Sequence, residues 1–453
     1  MTDIVILAAG KGTRMRSALP KVLHRLAGTP FLQHVINTAE RLAEPNINIV
    51  VGHGAQEVKA GVNGDTDLSF IAQTEQLGTG HAVQQALPKL SEEASVLILY
   101  GDVPLISEST LLSMLAKVSD TSMALLTYEL ANPSGYGRIV RNAQHAVTAI
   151  VEQKDARPEQ LAISEINTGV MAAKGKHLHT WLPALSNNNA QGEYYLTDII
   201  AMAVADDIEV KTVSADSEIE ITGVNSRVQQ AQLERSYQLS QAQTLLENGL
   251  SLLDPARFDL RGQLTHGEDC EIDINCVFEG KNSIGNNVTI GANCILKNAK
   301  IGDHVVIKPN SIVEDSELGN ECVIGPYARL RPGSKLAEKA KIGNFVETKK
   351  ALIGKGSKVN HLSYVGDAEL GEDVNVGAGT ITCNYDGVNK SLTQIDDGAF
   401  IGSNSSLVAP VSVGKNATVG AGSVVTKSSS ENQLVLTRAK QRNVDGWQRP
   451  KKR

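Results

Sequence analysis

A period of six constrains this chain more than any other feature. Through the second half, branched apolar residues recur at every sixth position, as in Leu318, Ile324, Leu330, Leu336 and Ile342. Ile301, Ile307 and Val313 form another run. Ile353, Val359 and Val365 form a third, and Ile401, Leu407, Val413, Val419 and Val425 a fourth. Fixed self-similarity of this length marks a parallel β-helix of hexapeptide repeats. Each repeat turns one apolar side chain inward, and a small neighbour admits a tight corner. The coils stack at strand spacing, about 4.8 Å. The series breaks at residues 384–390, "NYDGVNK", which reads as a loop on the working face.

The first half reads differently. Short apolar runs ending in Gly ("DIVILAA", "NINIVVGHG", "SVLILYGD") alternate with stretches of helical spacing such as "PFLQHVINTAERLAE". That alternation predicts an α/β, Rossmann-like domain with a mostly parallel sheet. Ligands of such sheets bind at the carboxyl ends of strands, where residues 10–14 and 101–102 fall. Residues 226–248, without Pro or Gly, predict one long helix. The expected division is 1–226, a helical linker at 227–249, and the β-helix with a C-terminal tail at 250–453.

Composition narrows the function. A net charge of −7 argues against a general nucleic-acid binder, and the basic "RPKKR" end reads as a solvated tail. No apolar run reaches the roughly 18 residues of a membrane span, and the start lacks signal-peptide character. The five cysteines are odd in number and form no Cys-x-x-Cys, so neither a disulfide framework nor a zinc site is expected. Reduced thiols in a cytoplasmic protein are the simplest account.

The stretch "AAGKGTRMRSALPK" fits neither the Walker A template nor the dinucleotide fingerprint. Its two glycines let backbone N–H groups approach phosphates, and Arg14 and Lys21 supply fixed positive charge. A structural turn with incidental basic residues is the other reading of this stretch taken alone.

The stretch resembles the signature of sugar-phosphate nucleotidylyltransferases, L-x-x-G-x-G-T-R-M followed by Pro-Lys. "QLGTGHA", "YGDVPL", "GYGRI", "VEQKD", "EINTG" and "GVNSR" come after it in that family's order. The hexads resemble those of the hexapeptide acyltransferases, which implies a left-handed coil and a homotrimer with active sites between neighbours. Over its whole length the chain is similar to the bifunctional family that joins an N-acetylglucosamine-1-phosphate uridylyltransferase to a glucosamine-1-phosphate N-acetyltransferase. The implied product is UDP-N-acetylglucosamine, a precursor for peptidoglycan and lipopolysaccharide.

For the first reaction the resemblance implies Mg²⁺ held by Asp102 and Asn225, with UTP and N-acetylglucosamine 1-phosphate as substrates. Arg14 and Lys21 would hold the triphosphate and stabilise the leaving pyrophosphate. Leu7, Ala8, Ala9, Gly10, Tyr100 and Gly101 would line the nucleotide, and Gln73, Gly78 and Thr79 would read the uracil. Gly137, Glu152, Asn167 and Thr168 would meet the sugar.

For the second reaction His361 is the expected base, because an imidazole titrates near neutral pH and a β-helix coil has no need of one. Arg331, Lys349 and Lys390 would bind the phosphate of glucosamine 1-phosphate. Tyr364, Asn375, Asn384 and Tyr385 would orient the sugar or polarise the carbonyl. Ala378, Ser403, Ala421 and Arg438 would face acetyl-CoA. The rival reading is a monofunctional sugar-1-phosphate nucleotidylyltransferase whose β-helix is structural.

Overall fold

The computed structural model describes residues 2–450; Lys451, Lys452 and Arg453, the last of the basic tail, lie outside them. Two compact units divide the chain, Met1–Tyr237 and Gln238–Arg453.

In the first unit, strand β1 (Thr2–Ala8) is buried along nearly its whole length. A run buried on both faces belongs inside a parallel sheet. The next strands are β2 (Pro45–Val51), β3 (Leu68–Ala72), β4 (Ser95–Tyr100) and β5 (Ser122–Glu129). A hairpin of β6 (Gly137–Arg141) and β7 (Val147–Val151) precedes β8 (Glu165–Lys174) and β9 (Glu209–Ser214). The sheet order is β9-β5-β8-β4-β1-β2-β3, with β6 paired to β8. β1 runs parallel to β2 and β4, and Ile4 sits beside Ile47 and Leu97. β8 is antiparallel to its neighbours.

Alternate residues of β1 feed opposite faces. Ile4 and Ile6 join the core that helix α1 (Phe31–Ala39) covers, and Val5 and Leu7 join the core under helix α2 (Thr79–Ala86). The apolar spacing that predicts α1 runs on through Leu42, but the helix stops at Ala39. Glu40 at its end accepts from the backbone and hydroxyl of Thr66 at 3.0 and 3.2 Å. β1 ends at Ala8 and β4 at Tyr100. The two motif loops therefore meet at the sheet's carboxyl edge, where Gly101 N donates to Leu7 O at 3.0 Å.

Helix α3 (Arg227–Glu247) crosses the division between the units. Leu233 packs in the first unit with Leu26 and Phe31. Ala242 and Leu245 join the core of the second.

The second unit is a prism of short parallel strands. Ile307, Ile324, Ile342, Val359, Val376, Ile401 and Val419 stack in register along one column. Every residue of the four hexad runs is buried in one continuous core. Burial of each such side chain contributes about 1.5–3 kcal/mol. The corners carry left-handed backbone at Asn293, Asn298, Asn310 and Asp315. Asn and Asp tolerate that region, and their side chains tie coil to coil. Asn298 accepts from Lys281 N at 3.0 Å and donates to Asp315 Oδ1 at 2.8 Å. The regular winding is interrupted between Cys383 and Thr393, where Tyr385 and Lys390 bridge antiparallel across an excursion.

Candidate active sites

A cavity of about 300 Å³ opens at the carboxyl edge of the first unit's sheet. Leu7, Ala8, Ala9 and Gly10, from the end of β1 and the start of its outgoing loop, form one wall. Gly12 has φ 59°, and a β-carbon there would lie 2.6 Å from Cβ of Lys21. Glycine thus lets the loop fold back and carry Lys21 into the cavity. Its ammonium donates to Asp102 Oδ2 and, at 3.1 Å, to Asn225 Oδ1. Arg14 Nη2 donates to the same Asn225 oxygen at 2.9 Å. Asn225 is held in place because Val224 N donates to Asp102 O at 2.9 Å and its own N–H to Gln229 Oε1 at 2.9 Å.

Oxygens of Asp102 and Asn225 therefore converge on a single cationic atom. A carboxylate and an amide oxygen are hard donors that fit Mg²⁺. Among the described residues no group of three or more His, Cys, Asp or Glu side chains gathers to hold a metal. A Mg²⁺ here would draw its other oxygens from water and phosphate, as that ion usually does.

At the other end of the cavity, Gly78 has φ 114° and a β-carbon would lie 2.6 Å from Tyr194 O. The loop is pinned by Tyr194 N donating to Leu77 O, and Gly80 N to Tyr194 O, both at 2.8 Å. Gln73 Nε2 donates to Gly78 O at 3.1 Å, and Thr79 Oγ1 accepts from Leu196 N at 3.3 Å.

Gly137, Glu152 and Asn167 gather beside it. Gly137 pairs with Asn167, and its absent β-carbon would stand 3.5 Å from Glu152 Oε1. Burial pushes the Glu152 carboxyl above its ordinary value, and the Thr197 hydroxyl, donating at 3.1 Å, offsets part of that rise. The Tyr100 ring packs against Gly169. Burial first, then the Glu152 and Asp102 carboxylates, push its phenol above the usual range. Thr168 turns away, with its hydroxyl donating to Leu126 O at 2.8 Å.

In the prism, His361 stands exposed at the end of a strand. Its Nδ1 lies 2.9 Å from Asn344 Oδ1, its register partner on the coil before. An amide oxygen only accepts, so Nδ1 carries the proton and Nε2 keeps its lone pair. Register places Ala378, Ser403 and Ala421 in the same column on the three following coils. Arg438 reaches that column, donating from Nη1 to Ala421 O at 3.3 Å. His361 thus heads a strip of small residues about 14 Å long at strand spacing.

On the adjoining face Arg331 donates to Glu347 Oε1 at 2.7 Å, and Glu347 pairs with Tyr364. The Lys390 ammonium, then Arg331, hold Lys349 below the usual lysine range. Three cations crowded in this way would be relieved by an anion. Asn384 donates to Asp367 Oδ2. Tyr385, in the excursion, points its hydroxyl at Gly387 O. Asn375 pairs with Lys358, three residues ahead of His361, so within one chain it stands about 10 Å along the strand from the imidazole row. A wider groove of about 660 Å³ runs along another prism face from Lys300 to Leu370 and holds none of these residues.

Residues 4–165 match the family described as a MobA-like NTP transferase domain, residues 260–347 a GMPPB C-terminal domain, and residues 393–427 the hexapeptide repeat of succinyl-transferase. A protein of Saccharophagus degradans named "Bifunctional protein GlmU" is 65% identical over 453 residues, covering 100% of both chains. Proteins of the same name from Marinobacter nauticus and Idiomarina loihiensis are 59% and 57% identical. They cover 99% of this chain and 99% and 98% of their own. The chain belongs to the GlmU family.

As a GlmU-family protein it is bifunctional, a uridylyltransferase and a glucosamine-1-phosphate acetyltransferase of UDP-N-acetylglucosamine synthesis. No helix of the described residues is long and apolar enough to cross a membrane. Within this GlmU-family chain several neighbours of the sites carry no motif of their own. Glu193 lines the cavity, Thr197 holds Glu152, and Asn344 meets the His361 ring. Only the repeat register, carried one coil back from His361, points to Asn344 in advance.

Proposed function

We propose that uridylyl transfer takes place in the cavity beneath Gly10 and acetyl transfer on the strip headed by His361. The convergence of Asp102, Asn225 and Lys21 on one point carries the first assignment. UTP lies with its base at Gln73, Gly78 and Thr79 and its phosphates at Gly10, Arg14 and Lys21. Asp102 and Asn225 would hold Mg²⁺, which would supply neutralisation of the phosphate charge. Gly137, Glu152 and Asn167 place N-acetylglucosamine 1-phosphate so that its phosphate oxygen attacks the α-phosphorus in line. The bond to the β-phosphate oxygen breaks, and pyrophosphate leaves against Lys21 and Arg14. The attacking oxygen is already ionised, so no base is required. Positioning and electrostatics carry the rate.

On the prism, Arg331, Lys349 and Lys390 hold the phosphate of glucosamine 1-phosphate. Its amine attacks the thioester carbonyl of acetyl-CoA lying along Ala378, Ser403 and Ala421. His361 Nε2 takes the amine proton and returns it to the departing sulfur as the C–S bond breaks. No cysteine serves as an acyl carrier. Four of the five thiols are buried within the prism, and the half-buried Cys383 turns its thiol to Ile381 O.

The working assembly is a homotrimer. Tyr327, Phe345 and Leu362 occupy left-handed corner positions, which ordinarily hold Asn or Gly, and are 53%, 56% and 63% exposed. The rings of Tyr327 and Phe345 stack at 5.4 Å. An apolar ladder held in a costly backbone conformation beside His361 supports cover by a second copy. Neighbours would then supply what one chain keeps apart, Asn375 included. The use of UTP and acetyl-CoA together supports a cytoplasmic setting. The test is Asp102→Ala: pyrophosphate release is lost while CoA release from acetyl-CoA and glucosamine 1-phosphate continues. Loss of both activities in a folded protein would overturn the separation of sites.

A further inference from the structure

Gln73 has two N–H donors and one carbonyl oxygen, and its surroundings decide which way the amide faces. Nε2 lies 3.1 Å from Gly78 O and 3.1 Å from His81 Nδ1. The Gly78 carbonyl only accepts, so the amide nitrogen belongs on that side. His81 Nδ1 must then accept as well, which leaves the imidazole proton on Nε2. His81 Nε2 stands 3.1 Å from Gln85 Nε2. Two donors cannot share that contact, so the Gln85 amide turns and offers its oxygen. Gln85 is half-buried, so its side chain has room to swing off the His81 carbonyl as it turns, giving up only a long 3.3 Å bond. Gln73 is 3% exposed and has no such freedom. Turned over, its oxygen would face the Gly78 oxygen.

With both donors engaged, Gln73 has its oxygen left, and Gln73 lines the cavity. No donor among the described residues answers that oxygen. We infer that His81 is a positioning residue for base selection: it locks Gln73 with its carbonyl oxygen toward the nucleobase. The site then offers an acceptor to the N3–H of uracil and refuses cytosine, whose N3 is itself an acceptor. This rests on the reading that Gln73 faces the base.

The test uses the full-length enzyme and pyrophosphate release with UTP and with CTP. His81→Phe keeps a ring beside Tyr194, whose centroid lies 6.3 Å away, and removes both ring nitrogens. The ratio of kcat/KM for UTP over CTP is expected to fall about tenfold or more, the worth of one specific hydrogen bond. The fall should come through a higher KM for UTP and better use of CTP. His81→Asn, whose side-chain oxygen reaches toward the place of Nδ1, restores most of the ratio. A purely structural role would lower both nucleotides alike. Acetyl transfer and the thermal midpoint report folding, and His81→Leu gives the same reading where the Phe variant does not fold. An unchanged UTP:CTP ratio in His81→Phe, with KM for UTP raised in Gln73→Ala, overturns the inference and leaves the base assignment standing. An unchanged KM in Gln73→Ala removes the base assignment, and the inference with it.

Discussion

Gly12 and Lys21 are packed so closely that a β-carbon on Gly12 would sit 2.6 Å from the β-carbon of Lys21. The left-handed φ of 59° at Gly12 adds a backbone cost of about 1–2 kcal/mol for any residue with a side chain. Gly12→Ala therefore displaces the lysine that reaches Asp102 and Asn225. Steady-state kinetics should show uridylyl transfer at least about tenfold slower, with acetyl transfer unchanged.

Glu152 links stability and activity. Burial raises its carboxyl above the ordinary value, so the folded protein binds that proton more tightly than the unfolded chain. The stabilisation is full below the unfolded pKa, about 4.3, and is lost as pH rises through the higher folded value. Glu152→Gln is neutral at every pH. Its thermal midpoint should exceed the parent's near neutral pH and match it near about pH 3. The Michaelis constant for N-acetylglucosamine 1-phosphate should rise in the same variant.

The strip of small residues below His361 leaves no room for a large side chain where acetyl-CoA is assigned. Ser403 is exposed between Ala378 and Ala421 in register. Ser403→Leu should raise the KM for acetyl-CoA about tenfold or more, with the uridylyl reaction unaffected and the melting temperature unchanged.

Asn344 keeps the proton of His361 on Nδ1 through its 2.9 Å contact. Asn344→Ala frees the ring to rotate and to change tautomer. The expected result is a fall in acetyl-transfer kcat of about tenfold to a hundredfold, smaller than that of His361→Ala and with little change in KM.

Phe345 sits at φ 57° on the exposed corner ladder. Phe345→Asp suits that backbone better and places a charge in the assigned trimer contact. Light scattering should show a mass below three chains. Acetyl transfer should fall with it, and pyrophosphate release should persist.

The prism was legible because its inward residues repeat. Leu318 to Ile342 announce five consecutive inward positions, and the structure buries all five. The cavity was legible through short motifs, since glycine and lysine at residues 10–21 have few uses together at the end of a buried strand. What stayed hidden lacks both period and motif. Thr197 meets Glu152 only because the sheet edge brings β7 beside a later loop. The Thr168 hydroxyl looks like a sugar donor in the motif, yet strand geometry turns it to Leu126 O. Asn375 reads as a neighbour of His361 along the chain, but coil pairing sets it beside Lys358. The end of α1 at Ala39 was also invisible, because the apolar spacing runs on through Leu42.

Asn225 precedes the first hexad of the prism, whereas the strip assigned to acetyl-CoA reaches Ala421, where Arg438 donates to the backbone. Chains fold from the amino end as they leave the ribosome. A growing polypeptide therefore holds every residue assigned to the nucleotide before it has His361, and acquires His361 before the far rungs of the assigned strip. Premature termination inside the last coils would release a protein that still makes pyrophosphate and has lost its grip on coenzyme A.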